Sequence, residues 1–411
     1  MRFWLCFLTT ACLLFPRSAA LAQDRPMSHQ VRSPNIATSL ELKRSINKVK
    51  GLLVSGLGNG DFAGAASTMI ITANKVGGNG TMGLRFSQPV GESMRRSVTE
   101  SIRGLQVKYG GWPKGFEASI SFQEKYIPKD GPSAAVACAL LLDGLIRDIE
   151  YDQDFAVTGD MNSDLSVQPI GGVAAKIRGA TKAKCKIVAV PYGNAKALAD
   201  IFVSKDLRAF ADIQVFTVKT FDDASKLAVK KRDPDLEFAI TEFAKVQQVI
   251  AKNGVQITRN PAVQKKLTEI LKRAPNHQSA RLLMYAGQGR GPKVYSLATS
   301  FKEMNQVAEP FLKAIARGDL GKKLADETYG DALFKMRQMR PQLDERTRPY
   351  HDAMTDMVAF WREWGEKEIA SRSKAMEAQR KFKEAVHRLE KEGAALRNNK
   401  EIADEMMMMR E

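Results

Sequence analysis

Pro128-Lys129-Asp130-Gly131-Pro132-Ser133-Ala134-Ala135 runs directly into an apolar stretch over residues 136–142. A Gly-Pro turn of this kind delivers a serine to the first turn of a buried helix. The turn holds the hydroxyl at a rigid elbow. The first amides of a helix have no partner within the helix and sit at its positive end, so they are suited to receive a developing oxyanion. The same residues also read as an ordinary N-cap, in which Ser133 only satisfies a helix amide.

Two further segments bear on that choice: Val157-Thr158-Gly159-Asp160, and Val167-Gln168-Pro169-Ile170-Gly171-Gly172-Val173-Ala174-Ala175-Lys176. In the second, a Gly-Gly turn opens a helix whose next polar side chain after small apolar residues is Lys176. A lysine acts as a base only when its ammonium has lost a proton, and burial among apolar groups lowers its pKa. On its own, Lys176 also reads as a surface lysine.

Together PKDGPSAA, VTGD and PIGGVAAK resemble the proteolytic domain of Lon proteases, in the family's order and spacing: 25 positions from Ser133 to Thr158 and 43 from Ser133 to Lys176. The likeness extends more weakly upstream through Gly91-Glu92-Ser93-Met94 and downstream to the strand-like run 213–218, covering residues 51–231. The resemblance implies that Ser133 is the nucleophile, Lys176 its general base and Thr158 the hydroxyl that orients the lysine. Asp130 matches an acidic residue of the family's nucleophile loop, where it gates the site or caps the turn. A Ser–Lys pair performs this chemistry without histidine, since the hydroxyl becomes nucleophilic once an adjacent base takes its proton. Ala135 stands where the family has glycine, which bears on pocket size. Ala174-Ala175 replaces a more polar pair. The first strand also lacks an acidic side chain expected from Lon itself.

Outward from these motifs, strand-like runs at 68–72, 116–122, 186–190 and 213–218 alternate with helical stretches, an α+β pattern. Gly77-Gly78-Asn79-Gly80 lies between strand-like runs and reads as a hairpin. Lys230-Lys231-Arg232-Asp233-Pro234 reads as a junction, after which strand signals cease and an all-α region, 235–411, begins. There Leu236, Ile240, Phe243, Val246 and Ile250 share a helix face closed by Asn253-Gly254. A helix from 261 to 273, an Ala-Pro-Asn turn and a helix from 278 to 287 resemble one tetratricopeptide-type hairpin. The longest helical pattern, 352–398, carries Met354, Met357, Val358, Trp361 and Phe382 among many charges. It reads either as a partner or coiled-coil helix or as a bundle helix.

Residues 1–22 read as a secretory signal: Arg2, an apolar run at 3–15, and Ala20-Leu21-Ala22 before a cleavage point ahead of Gln23. The run is too short to span a bilayer, so no transmembrane span is expected in the mature chain. Residues 23–50 read as an N-terminal arm. After the signal, Cys138 and Cys185 remain, each in an apolar stretch and read as a buried free thiol. The four histidines show no metal-ligand spacing, so neither metal nor cofactor is expected. The formal charge of +17 suits an anionic partner. Its basic residues are spread along the chain without interleaved aromatics, so no specific nucleic-acid partner is expected.

No GxxxxGK[ST] phosphate loop occurs; Gly318-Asp319-Leu320-Gly321-Lys322 has the wrong spacing. The expected function is therefore an exported, ATP-independent serine endopeptidase acting on peptides or unfolded proteins. A homo-oligomer and a protein partner for the helical region stay open. The rival reading is a catalytically weak Lon-like scaffold whose helices bind partners.

Overall fold

Ser67, Met69, Ile71 and Ala73 are buried while Thr68, Ile70 and Thr72 between them are less so, the period-two burial of a strand with one covered face. That strand belongs to a mixed sheet, and the computed structural model describes residues 40–56, 62–124, 129–316, 326–366 and 372–404. The signal at 1–22, the rejected phosphate-loop segment at 318–322 and the methionine-rich tail at 406–409 lie outside the described residues.

The sheet unit contains β1 (Ile46–Gly56), β2 (Phe62–Lys75), β3 (Gly83–Phe86), α1 (Glu92–Tyr109), β4 (Phe116–Phe122) and α2 (Ala135–Arg147). It continues through β5 (Phe155–Val157), a small ribbon of β6 (Asp160–Met161) and β7 (Val167–Gln168), α3 (Val173–Lys182) and β8 (Ile187–Pro191). Next come α4 (Ala195–Val203), α5 (Arg208–Ala211), β9 (Gln214–Val218) and α6 (Phe221–Ala228). Among the described residues the main sheet has seven strands in the order β3-β4-β2-β1-β5-β8-β9. β2 runs antiparallel to β1 and β4, whereas β1, β5, β8 and β9 run parallel. Glycines 77–80 do not form a hairpin. β3 pairs with β4, which lies between it and β2, because Gly115 N–H donates to the Gly80 carbonyl and draws the turn across to β4.

Residue parity places helices on both faces. Odd-numbered Gly51 of β1 faces Ala137 of α2, while even-numbered Val54 faces Gly172 at the start of α3. Every residue of α2 from 135 to 146 is buried, as expected for a helix covered on all sides. Its one acidic side chain, Asp143, would be costly there without partners. It accepts hydrogen bonds from Tyr109 and from Tyr151 Oη at 2.6 Å, and Arg147 lies 3.5 Å away. On the other face α3 packs so closely on β2 that a methyl at Gly64 would overlap the Ala175 carbonyl, and one at Gly179 would overlap the β2 backbone. Cys138 and Cys185 are buried free thiols, and burial pushes the Cys138 thiol up to about 12.

The sheet unit does not end near residue 231. Helices α7 (Pro234–Asn253), α8 (Pro261–Arg273) and α9 (Gln278–Gly287) share its core, and the division between compact units falls between residues 293 and 294. The charged junction is itself part of the fold: Arg232, 6% exposed, donates to Asp152 at 2.6 Å, and Pro234 occupies the first turn of α7 behind the Asp233 cap. His277 fastens α9 to the sheet. Its ring lies 4.2 Å from Phe216 and 4.4 Å from Phe243, Nδ1 accepts the Ala280 amide at 3.2 Å, and Nε2 faces Gln214 Oε1 at 3.2 Å. Complete burial lowers its pKa to about 3, so the imidazole stays neutral. The expected N-terminal arm is likewise ordered at its end, because Lys43 N–H donates to Leu145 and β1 begins at Ile46.

The second unit is all-helical: α10 (Leu297–Ala316), α11 (Asp326–Met339), α12 (Arg348–Glu366) and α13 (Arg372–Arg397). The long pattern at 352–398 is two helices rather than one. Phe382 of α13 packs 6.2 Å from Trp361 of α12, and Arg388 pairs with Asp356 at 2.9 Å, an antiparallel arrangement. Met354, Met357 and Val358 are buried within this bundle, which is the bundle-helix reading. Among the described residues no helix is long and apolar enough to cross a membrane.

The α3–β2 contact yields a stability prediction. Gly64→Ala should cost about 1–3 kcal/mol in urea unfolding, since the added methyl meets backbone and not a movable side chain. Gly83→Ala, where nothing lies within 4 Å, should stay within about 0.5 kcal/mol of wild type.

Candidate active site

Ser133 lies in a short 3-10 turn, Pro132–Ala134, immediately before α2. Gly131 precedes it at φ 100°, a backbone angle that favours glycine, and Pro132 fixes the next residue. The turn is tied to the end of β5. The Ser133 carbonyl accepts Gly159 N–H at 2.9 Å and Thr158 Oγ1–H at 3.3 Å, and Val136 N–H donates to the Gly159 carbonyl at 3.2 Å. Gly159 permits this approach, because a side-chain carbon there would lie 2.8 Å from Val167 and 3.1 Å from Val136. From α1 the Ser97 hydroxyl donates its one hydrogen to the Asp160 carboxylate and lies 3.4 Å from the Pro132 carbonyl.

Lys176 lies in the first turns of α3, and its amide donates to the carbonyl of Gly172, the N-cap residue held at φ 68°. The side chain is only 2% exposed. Burial lowers its pKa to about 7, and no charged neighbour contributes. Among the described residues its ammonium has neither a hydrogen-bond partner nor an ion pair. An unpaired ammonium out of water is disfavoured relative to the neutral amine, so near neutrality a large share of Lys176 is free base.

Both residues lie at one end of the sheet. The Pro132–Ala134 turn contacts β1 and the end of β5, while α3 starts against Val54 of β1 and Gly64 of β2. This is the carboxyl end of the parallel strands, where loops from both faces converge. Thr158 is fully buried, with its amide on the Ala189 carbonyl. Its hydroxyl donates to the Ser133 backbone and not to Lys176, so in this structure it ties the Ser133 turn to β5. Asp130 is exposed and caps: Oδ1 accepts Gly131 N–H at 2.8 Å and Met94 N–H, in the first turn of α1, at 3.2 Å. The Ser97–Asp160 pair was not singled out from sequence; the VTGD motif was its only local sign.

Residues 37–231 match the family model described as the Lon protease (S16) C-terminal proteolytic domain. Residues 37–231 form a Lon-type proteolytic domain. The Lon protease of Trichlorobacter lovleyi is 29% identical over 196 residues, which cover 46% of this chain and 22% of that one. Lon protease 2 of Bacillus subtilis is 27% identical over 199 residues, covering 46% and 34%, and the archaeal Lon protease of Pyrococcus abyssi is 26% identical over 240 residues, covering 57% and 22%. The chain thus spans between about a fifth and a third of the length of these relatives. A Lon-type domain supports serine peptidase activity, and it is followed here by a helical region without an evident ATPase domain.

The buried lysine should lower stability. Its folded pKa lies below the unfolded value, so the unfolded chain binds more protons between about pH 7 and pH 10.5. The destabilisation is complete below pH 7 and relieved as pH rises through that window. Lys176→Met should therefore raise the melting temperature near pH 7, by a free energy on the order of a few kcal/mol, and the gain should vanish toward pH 10.5.

Proposed function

We propose that this protein is a serine endopeptidase in which Ser133 attacks the scissile carbonyl and Lys176 is its general base. The observation that carries the reading is the burial of Lys176 with no counter-ion among the described residues, at the sheet end where the rigid Ser133 turn also lies. A surface lysine or a simple helix cap requires neither feature.

In the proposed cycle, neutral Lys176 takes the Ser133 hydroxyl proton as the oxygen bonds to the peptide carbon. Lys176 then returns that proton to the leaving amine, and in the second half it activates the deacylating water. The oxyanion needs fixed donors. Because the Gly131 amide is already held by Asp130 and Pro132 has none, the donor in this turn is the Ser133 amide itself. Thr158 anchors the nucleophile's turn through the Ser133 carbonyl, and its oxygen keeps lone pairs for the lysine.

Substrates are peptides or segments that arrive already unfolded, and hydrolysis proceeds without ATP. What supports this is that the helices beyond the Lon-type domain carry no phosphate-loop motif. An exported location rests on the signal-like residues 1–22.

Ser133→Ala and Lys176→Met should each reduce cleavage of an internally quenched peptide at least about 10³-fold while retaining cooperative unfolding. With acylation rate-limiting, the wild-type rate should rise with pH through about 7 and then level. Wild-type turnover in either variant would remove the dyad, and a flat profile from pH 6 to pH 9 would remove the lysine base.

A further inference from the structure

Asn194 sits at the N-cap position of α4, where an asparagine side chain ordinarily accepts a hydrogen bond from its own helix. It makes no such bond. Its carboxamide instead closes on one residue 24 positions upstream: Nδ2–H donates to the Ile170 carbonyl at 2.8 Å, and Oδ1 accepts the Ile170 amide at 3.0 Å. Both residues are buried, Asn194 at 7% exposure and Ile170 at 4%.

Ile170 belongs to the Pro169-Ile170-Gly171-Gly172 turn from which α3 and Lys176 start. Two adjacent glycines leave that turn little conformational preference of its own, so something outside it must set where the helix begins. A second contact acts at the same place. Gly193 lies flat on the Pro169 ring, and a side-chain carbon at Gly193 would lie 3.2–3.3 Å from three of the ring carbons. The segment after β8 thus grips the turn at both Pro169 and Ile170. The helix forgoes a local cap to do so.

We propose that Asn194 is a positioning residue for the Lys176 base: by fixing both backbone groups of Ile170 it sets the start of α3 and thereby the place of the Lys176 amine relative to Ser133. The proposal rests on the reading of Ser133 and Lys176 given above. Asn194 touches neither the substrate nor the reacting atoms. Its loss therefore acts on the chemical step, where a displacement of about 1 Å can cost on the order of 10²-fold.

The test uses the full chain and an internally quenched peptide, with the single-turnover acylation rate and KM measured for Asn194→Ala and Asn194→Ser. Serine can cap α4 but cannot reach both groups of Ile170, so Asn194→Ser supplies the local cap that the native helix lacks while breaking the clamp. The expected result is a 10- to 100-fold slower acylation in both variants, KM within twofold of wild type, and a melting temperature for Asn194→Ser close to wild type. A purely structural asparagine predicts wild-type acylation in Asn194→Ser. That outcome, a loss confined to KM, or loss of cooperative unfolding in both variants would overturn the proposal. Ser133→Ala and Lys176→Met, assayed alongside, separate the two ideas. If they keep turnover, the dyad reading fails. If they are inactive while both Asn194 variants acylate normally, only the clamp fails.

Discussion

A lysine ammonium held out of water with no carboxylate beside it among the described residues is the constraint on which this structure turns. For a lysine, burial alone favours the neutral amine. At Lys176 burial is the single cause of the lowered pKa. A counter-ion would have made the side chain easier to bury, but would have fixed the charge that a base must lose. The price is stability, and the rest of the domain is arranged to keep the side chain in place despite it.

That arrangement begins with close packing. Gly64 and Gly179 let α3 lie directly on β2, and the helix cannot slide away from the sheet without giving up those contacts. Around Ser133 the device is different. Backbone bonds from Gly159 and Val136 and the side-chain hydroxyl of Thr158 hold the Ser133 turn, with the Ser97 hydroxyl against it from α1. The α3 start is held by surface complementarity and the Ser133 turn by hydrogen bonds, and both lie at the end of the sheet where the parallel strands finish. Networks of this kind keep catalytic groups in register when their bonds are satisfied together.

Much of the site was legible because turns and helix starts leave local marks. Gly131-Pro132 and Gly171-Gly172 announce their turns, and the small apolar residues around Lys176 announce its burial. The α+β class, the extents of α8 and α9 and the two buried thiols followed from composition and periodicity. Contacts between distant segments were not legible. Nothing near Asn194 says that its side chain serves Ile170 and not its own helix, and nothing near Gly77 says that β4 will insert between β2 and β3. The family match ends at residue 231, at the charged junction 230–234, which is nonetheless packed into the sheet unit. A charged, proline-marked stretch looks like a linker, yet Arg232 is buried against Asp152 and the proline simply starts a helix. The helices after it, α7 to α9, belong to the sheet unit, where His277 completes the aromatic packing on β9.

The protonation state of Lys176 is therefore the quantity to measure. With the Nζ of lysine labelled with nitrogen-15, its NMR titration in the folded Ser133→Ala protein reports that state directly, using Lys176→Met to assign the resonance. The account predicts that the Lys176 resonance titrates near pH 7, well below the ordinary lysine value. A Lys176 resonance that titrates near pH 10.5, the ordinary value for a lysine, would contradict it.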